Sequence, residues 1–188
     1  AEAVKKIFIA KGRPNDNPLI VHVSSLEEIP PLVKEVDPRL YELADKFWPG
    51  PLTVILKKSD AVPNEVSPGL DTVAIRMPSH PDAREIISLS GVPLAAPSAN
   101  ASGKPSPTSV ARVIEDLDGK IDAAVDGGDC AVGVESTVIT LATPVPKLLR
   151  PGNVTLSQLK SVLGEAQIDN AVLNPLKKGE IKRTHQWA

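Results

Sequence analysis

The 188 residues include a single cysteine, Cys130. That excludes an intrachain disulfide and a cysteine-built metal site, and it suits a reducing compartment. The three histidines, His22, His80 and His185, show no metal-ligand spacing. Aromatic residues make up only 3%, so the core must come from Val, Leu, Ile and Ala. No apolar run approaches the roughly 18 residues of a membrane span. The start, Ala1-Glu2-Ala3-Val4-Lys5-Lys6, lacks the apolar stretch of a secretory signal, so Asn100-Ala101-Ser102 and Asn153-Val154-Thr155 are read as chance matches to the glycosylation pattern. Net charge is only −2, which gives no support to a broad nucleic-acid surface but leaves room for a local basic cleft. There is no Gly-x-Ser-x-Gly elbow, phosphate-loop signature or dinucleotide-binding glycine fingerprint. A soluble, cytoplasmic-type domain without membrane attachment is the expectation.

With 41% hydrophobic residues, the chain can build one sizeable core, with or without a tail. Proline is abundant: 19 residues, about twice the usual share of roughly 5%. The prolines separate short apolar segments, which predicts many short elements joined by stiff turns. Val4, Ile7 and Phe8 recur at helical spacing over residues 1–10, with Gly12 as C-cap. Strands are expected at 18–23, 52–56, 72–76, 93–96, 121–126, 136–141 and 147–150. Helices are expected from the capping box Ser25-Leu26-Glu27-Glu28, from Asp37-Pro38 to about Trp48, and over 81–90. Others should run from Ser106-Pro107 and from the capping box Thr155-Leu156-Ser157-Gln158 to Gly164. From Gln167 the pattern fades, and Lys177-Lys178-Gly179-Glu180 reads as a solvated tail. The mixture predicts an α+β or open α/β fold, with a domain over 1–166 and a linker-like tail over 167–188.

The candidate functional groups cluster at element ends. Lys11-Gly12-Arg13-Pro14, followed by Asn15-Asp16-Asn17, places two cations where a helix stops. They either grip phosphate oxygens or merely offset the helix dipole. Residues 96–107, Ala-Pro-Ser-Ala-Asn-Ala-Ser-Gly-Lys-Pro-Ser-Pro, form either a flexible linker or a fixed polar loop. Arg76 at a strand end is either a carboxylate clamp or a surface ion pair, and His22 is either packed or functional. Asp126-Gly127-Gly128 leads through Gly133 to Glu135-Ser136-Thr137, where backbone N–H groups could approach an anion. Arg150 before Pro151-Gly152 is equally open. Trp48-Pro49-Gly50-Pro51 reads as a structural corner, and Cys130 as a small buried residue.

Taken in order, Lys11-Gly12-Arg13-Pro14, Asn17-Pro18-Leu19, Phe47-Trp48-Pro49-Gly50-Pro51-Leu52-Thr53, Ala74-Ile75-Arg76-Met77-Pro78, Ala96-Pro97-Ser98-Ala99-Asn100, Asp126-Gly127-Gly128, Glu135-Ser136-Thr137-Val138 and Leu149-Arg150-Pro151-Gly152 resemble the YrdC-like threonylcarbamoyl-AMP synthase family. The resemblance runs to about Gly164. It implies a YrdC-like twisted open sheet with helices around a concave basic cavity. It also implies a nucleotidyltransferase that converts L-threonine, bicarbonate and ATP, with Mg²⁺, into threonylcarbamoyl-AMP and pyrophosphate. The product would then serve a downstream transferase complex that makes threonylcarbamoyladenosine in tRNA.

Carried onto matching positions, the resemblance assigns Lys11, Arg13, Asn17, Thr72, Ser98, Asn100, Ser106 and Arg150 to the nucleotide. It assigns His22, Arg76, Ala96 (through its backbone) and Ser136 to threonine. No covalent nucleophile or protein-held metal is implied, and Lys11 and Arg13 would stabilise charge. Family members begin with a further strand and a Pro-Thr-Glu-Thr-x-Tyr-Gly-Leu-Gly-type loop ahead of the position of Ala1. Longer members add a tyrosine-bearing linker segment, where this chain has Thr184-His185-Gln186-Trp187-Ala188, and a second domain. The competing expectations are a YrdC-like module that binds ATP or double-stranded RNA without turnover, and a related carbamoyl transferase using carbamoyl phosphate.

Overall fold

The computed structural model describes residues 1–13 and 16–173. The chain forms α1 (Glu2–Lys11), β1 (Ile20–His22), α2 (Arg39–Phe47), β2 (Leu52–Lys57), β3 (Thr72–Arg76) and α3 (Pro81–Ser90). It continues with β4 (Leu94–Ala96), α4 (Val110–Leu117), β5 (Thr137–Thr140), β6 (Lys147–Arg150), α5 (Leu156–Leu163), β7 (Gln167–Ile168) and α6 (Asn170–Leu173). The seven strands make one mixed sheet in the order β4-β1-β3-β2-β5-β6-β7. Pairing is parallel for β1 with β3, β2 with β5 and β6 with β7, and antiparallel for β1 with β4, β2 with β3 and β5 with β6. The expected open α/β architecture is present.

Period-two alternation assigns the two faces of this sheet. Val21, Leu52, Val54, Leu56, Val73, Ile75, Ile139 and Leu148 point to one side. There they pack with Val4 and Phe8 of α1, Leu40 and Leu43 of α2, and Leu159 of α5 in a single apolar cluster. The residues between them point the other way, where the apolar contribution shrinks to Ile55, Ala74, Val138 and Leu149, with Ile20 and Leu70 alongside. Around that small patch stand His22, Thr53, Thr72 and Arg76 of the same strands, with Ser136 just ahead of β5. One face is core and the other is a polar floor.

Local signals explain most boundaries. Gly12 caps α1 in the left-handed region at φ 60, its N–H bonding back to Ile9. Thr155 and Gln158 form the reciprocal capping box that opens α5. Trp48-Pro49 is a cis peptide bond, and the Trp48 indole donates to the Leu52 carbonyl at 2.7 Å, so the Trp-Pro-Gly-Pro stretch is a corner as expected. A Cβ on Gly50 would collide with the Phe47 carbonyl oxygen, which requires glycine there.

Several sequence expectations are corrected. Ser25 opens only a 3₁₀ turn over Leu26–Glu28 and makes no capping bond, because the Glu28 carboxylate instead accepts from the Ser24 N–H and hydroxyl. The helix expected from Ser106-Pro107 begins three residues later, at Val110, with the Ser106 hydroxyl engaged by Glu135. Residues 121–126 form no strand: Ala123, Ala124 and Val125 line a cleft instead of pairing with the sheet. Cys130 is exposed, not buried. The fading pattern after Gln167 hides β7, which pairs with Lys147 and Leu148, and α6, so the sheet extends past 166. Residues 174–188, with the Lys177–Glu180 stretch, lie outside the described residues.

Candidate functional site

Register brings the polar floor together. His22 of β1 lies beside Arg76 of β3 and opposite Leu94 of β4. Burial, and then the neighbouring Arg76 cation, push His22 from the ordinary 6.5 down to about 4, so its imidazole is neutral at neutral pH. Its Nδ1 is buried without a hydrogen-bond partner among the described residues. Arg76 donates from Nε to the Gly50 carbonyl at 3.1 Å, and the Gly50 N–H donates to the Met77 carbonyl at 2.9 Å. The Trp-Pro-Gly-Pro corner is therefore also the bracket that aims Arg76.

Arg76 lies within electrostatic reach of Arg150. Both guanidiniums are held below the ordinary arginine range by burial, and Arg76 additionally by the Arg150 charge. Between β5 and β6 the register shifts at Val138/Ile139, and there Arg150 wraps around Ser136. Its Nε and Nη2 donate to the Ser136 carbonyl at 3.0 and 2.9 Å, and Nη2 also to the Ser136 hydroxyl at 3.0 Å. The Ser136 hydroxyl lies 2.8 Å from the Thr53 hydroxyl, and Thr53 is completely buried. Glu135 uses one carboxylate oxygen to accept the Ser106 hydroxyl at 2.9 Å and the other to meet Arg150 Nη1 at 3.3 Å. Gly152 permits this packing: a Cβ there would fall 2.5 Å from both the Glu135 carbonyl and the Thr137 nitrogen.

The second group of cations sits at the end of α1. Lys11 is 6% exposed and donates to the Ser98 carbonyl at 2.5 Å, to the Asn100 carbonyl, and to Asn100 Oδ1 at 3.3 Å. Burial, and then the nearby Arg13, lower its pKa to about 8. Arg13 donates to the Pro18 carbonyl at 3.2 Å. It lies within electrostatic reach of Asp16 and Glu135, although burial still lowers its pKa. Asn100 Nδ2 closes its own loop onto the carbonyls of Ala101 and Lys104, at 3.0 and 2.8 Å. Between linker and fixed loop, this segment is a fixed loop.

Of the expected residues, His22, Arg76, Ser136, Arg150, Ser106 and Arg13 share one electrostatic neighbourhood, while Lys11, Ser98 and Asn100 form an adjoining loop anchor. Ala96 pairs with Ile20, inside the same sheet. Thr72 faces the same side as Arg76 but four residues earlier, about 13 Å along the strand at ~3.3 Å per residue, and pairs with Lys57. Asn17 lies in the bend before Pro18, half-buried. Sequence reasoning did not find Thr53, Glu135 or the Gly50 carbonyl as parts of the site. The signal for the first was its place next to the Trp-Pro-Gly-Pro corner, and for Glu135 its being the one acid directly beside Ser136.

Chemically, this is a place for anions. Desolvated guanidiniums held side by side lack full charge compensation, since Glu135 is the one carboxylate paired directly to them among the described residues. A carboxylate or phosphate arriving there would relieve that repulsion. Among the described residues no three His, Cys, Asp or Glu side chains gather to hold a metal ion. No described helix is long and apolar enough to cross a membrane.

The family model for Sua5, YciO and YrdC proteins, described as telomere recombination, matches residues 1–152. The chain belongs to this family. The threonylcarbamoyl-AMP synthase of Pyrococcus abyssi (strain GE5 / Orsay) is 55% identical over 170 residues, covering 90% of this chain and 50% of that relative. The protein of the same name from Bacillus subtilis (strain 168) is 49% identical over 189 residues, covering 98% of this chain and 54% of the relative. The structure of P. abyssi Sua5 complexed with L-threonine matches with a TM-score of 0.90 at 52% identity, over 95% of this chain and 53% of that one. The chain thus spans about half the length of these relatives.

Proposed function

We propose that this chain carries the synthase site of a threonylcarbamoyl-AMP synthase, using L-threonine, bicarbonate and ATP. The observation that carries the reading is the pair Arg76 and Arg150, half-buried beside the neutral His22 on the polar face of the sheet. The relatives named above share this reading in their names, and one of them holds L-threonine.

In this reading Arg76 clamps the threonine carboxylate, with His22, Ser136 and the Ala96 backbone around the rest of the amino acid. The nucleotide lies across Arg13, Asn17, Ser98, Asn100, Ser106 and Arg150, with Lys11 behind the Ser98–Asn100 loop. Thr72, about 13 Å from Arg76 along β3, suits the far end of a molecule as long as ATP. The threonine amine adds to bicarbonate-derived carbon dioxide, losing a proton and forming a carbamate. A carbamate oxygen then attacks the α-phosphorus, and pyrophosphate leaves. Negative charge grows on phosphoryl oxygens, so fixed cations and N–H donors lower the barrier without a covalent nucleophile. Mg²⁺ would arrive with the nucleotide phosphates. The product would pass to a tRNA-modifying transferase, and in this reading the work is cytoplasmic.

The test is incubation of the purified chain with ATP, Mg²⁺, threonine and bicarbonate, with mass spectrometry for threonylcarbamoyl-AMP. A product that needs both threonine and bicarbonate is the expected result. Folded protein that binds ATP, or binds double-stranded RNA in a salt-sensitive way, yet makes no product, would instead mark the chain as a binding module.

A further inference from the structure

We infer that Lys11 is a positioning residue that sets the shape of the 97–104 loop, and is not a free cation offered to an anion. An ammonium has three protons, and three acceptors of this loop surround it: the Ser98 carbonyl, the Asn100 carbonyl and Asn100 Oδ1. With the side chain 6% exposed, little of it is left to face a cleft.

The clasp is two-sided. The Ser102 N–H donates to the Lys11 carbonyl at 2.9 Å, so one residue holds the loop through both its side chain and its backbone. From the other side, Asp116 of α4 accepts the Ala101 N–H at 3.1 Å and pairs with Lys104. The loop is thereby strung between the end of α1 and the last turn of α4, with the Asn100 amide filling its interior. A buried ammonium with its acceptors in place is tolerable, whereas carbonyls stripped of it would be left under-satisfied in a tight turn. The groups exposed by this arrangement are the Ser98 hydroxyl and the backbone beside it, held in one conformation before any ligand arrives. The consequence for nucleotide affinity rests on the reading above; the loop-ordering role does not.

The role is sensitive to pH. The charged groups facing the Lys11 ammonium are Arg13 at the end of its own helix, Asp116 from α4, and Lys104, which is paired to Asp116. Since burial and Arg13 bring Lys11 down to about 8, a proton is lost above that pH, and one donor of the clasp goes with it.

The decisive measurement is amide hydrogen exchange over residues 97–104 in the ligand-free chain, for wild type and Lys11→Met. The expected result is about tenfold faster exchange in the variant over this loop, with β2 and α5 unchanged, and an equal weakening of ATP and adenosine binding. Unchanged loop exchange, with a loss confined to ATP, would overturn the inference and make Lys11 a phosphate ligand. Should Lys11→Met fail to fold, Lys11→Gln takes its place with the same readouts: faster exchange over the loop is expected, and exchange as slow as in wild type sinks the proposal. Because these exchange readouts need no ligand, they stand or fall separately from the synthase assay.

Discussion

The two faces of the sheet are made by the same strands, yet they obey opposite rules. On β3, Val73 and Ile75 are fully buried among aliphatic side chains, whereas Thr72 and Arg76 alternate with them onto the polar floor. The apolar face gains stability from each methylene removed from water. The polar face does the reverse: it gathers Arg76, Arg150 and neutral His22 where burial works against charge. Under the proposed function such a face is retained for what it binds, and the core face supplies the stability that lets it persist.

Substitutions on adjacent β3 residues should therefore separate cleanly. Ile75→Ala, on the core face, should destabilise the fold by about 2–5 kcal/mol, read from denaturant unfolding. Its threonine affinity under native conditions should stay unchanged. One residue further, Arg76→Gln should lower threonine affinity about 100-fold, or ~2.7 kcal/mol, by calorimetry. Relief of repulsion with Arg150 offsets the lost bond to Gly50, so stability should move by no more than about 1 kcal/mol. Equal effects of the two variants on stability would show that the two faces of β3 do not differ in this way.

A pH series sharpens it. His22 sits at about 4 in the folded chain against an ordinary 6.5, so the unfolded chain binds the extra proton between those values. Stability should therefore rise with pH across that window and be lost as pH falls through it, by about 2 kcal/mol once part exposure is allowed for. Unfolding free energies at pH 4.5 and 7 for wild type and His22→Asn measure it, and the variant should lack most of the difference. Smallest is Thr155→Ala at the start of α5, remote from the polar face. Loss of the capping bond to Gln158 should cost about 1 kcal/mol, and threonine binding should not change.

Much of this was legible in the sequence because it is local chemistry. Gly12 ends α1, Thr155 and Gln158 open α5, and strands 52–57, 72–76 and 147–150 announce themselves by β-branched and aliphatic runs. Motif order also singled out His22, Arg76, Ser136 and Arg150, which the fold brings to one polar face. What escaped depended on distant partners. Ser25 and Glu28 match a capping box, yet Glu28 takes Ser24 instead. Residues 121–126 carry the composition of a strand but find no neighbouring strand to pair with. Gln167-Ile168 look like the start of a tail, and are a strand only because β6 offers its edge.

The sequence by itself determined which residues alternate, where the chain turns and caps, and which polar groups lie at element ends, since those depend on spacing and local backbone preference. Only the tertiary structure decided what the polar groups do. Ser106 and Arg150 are 44 positions apart and meet through the two oxygens of Glu135. Lys11, far from Asn100 in the chain, donates its hydrogen bonds to that loop. Charge and hydrogen bonding act through space over a few ångströms, and it is the fold that chooses which residues come that close.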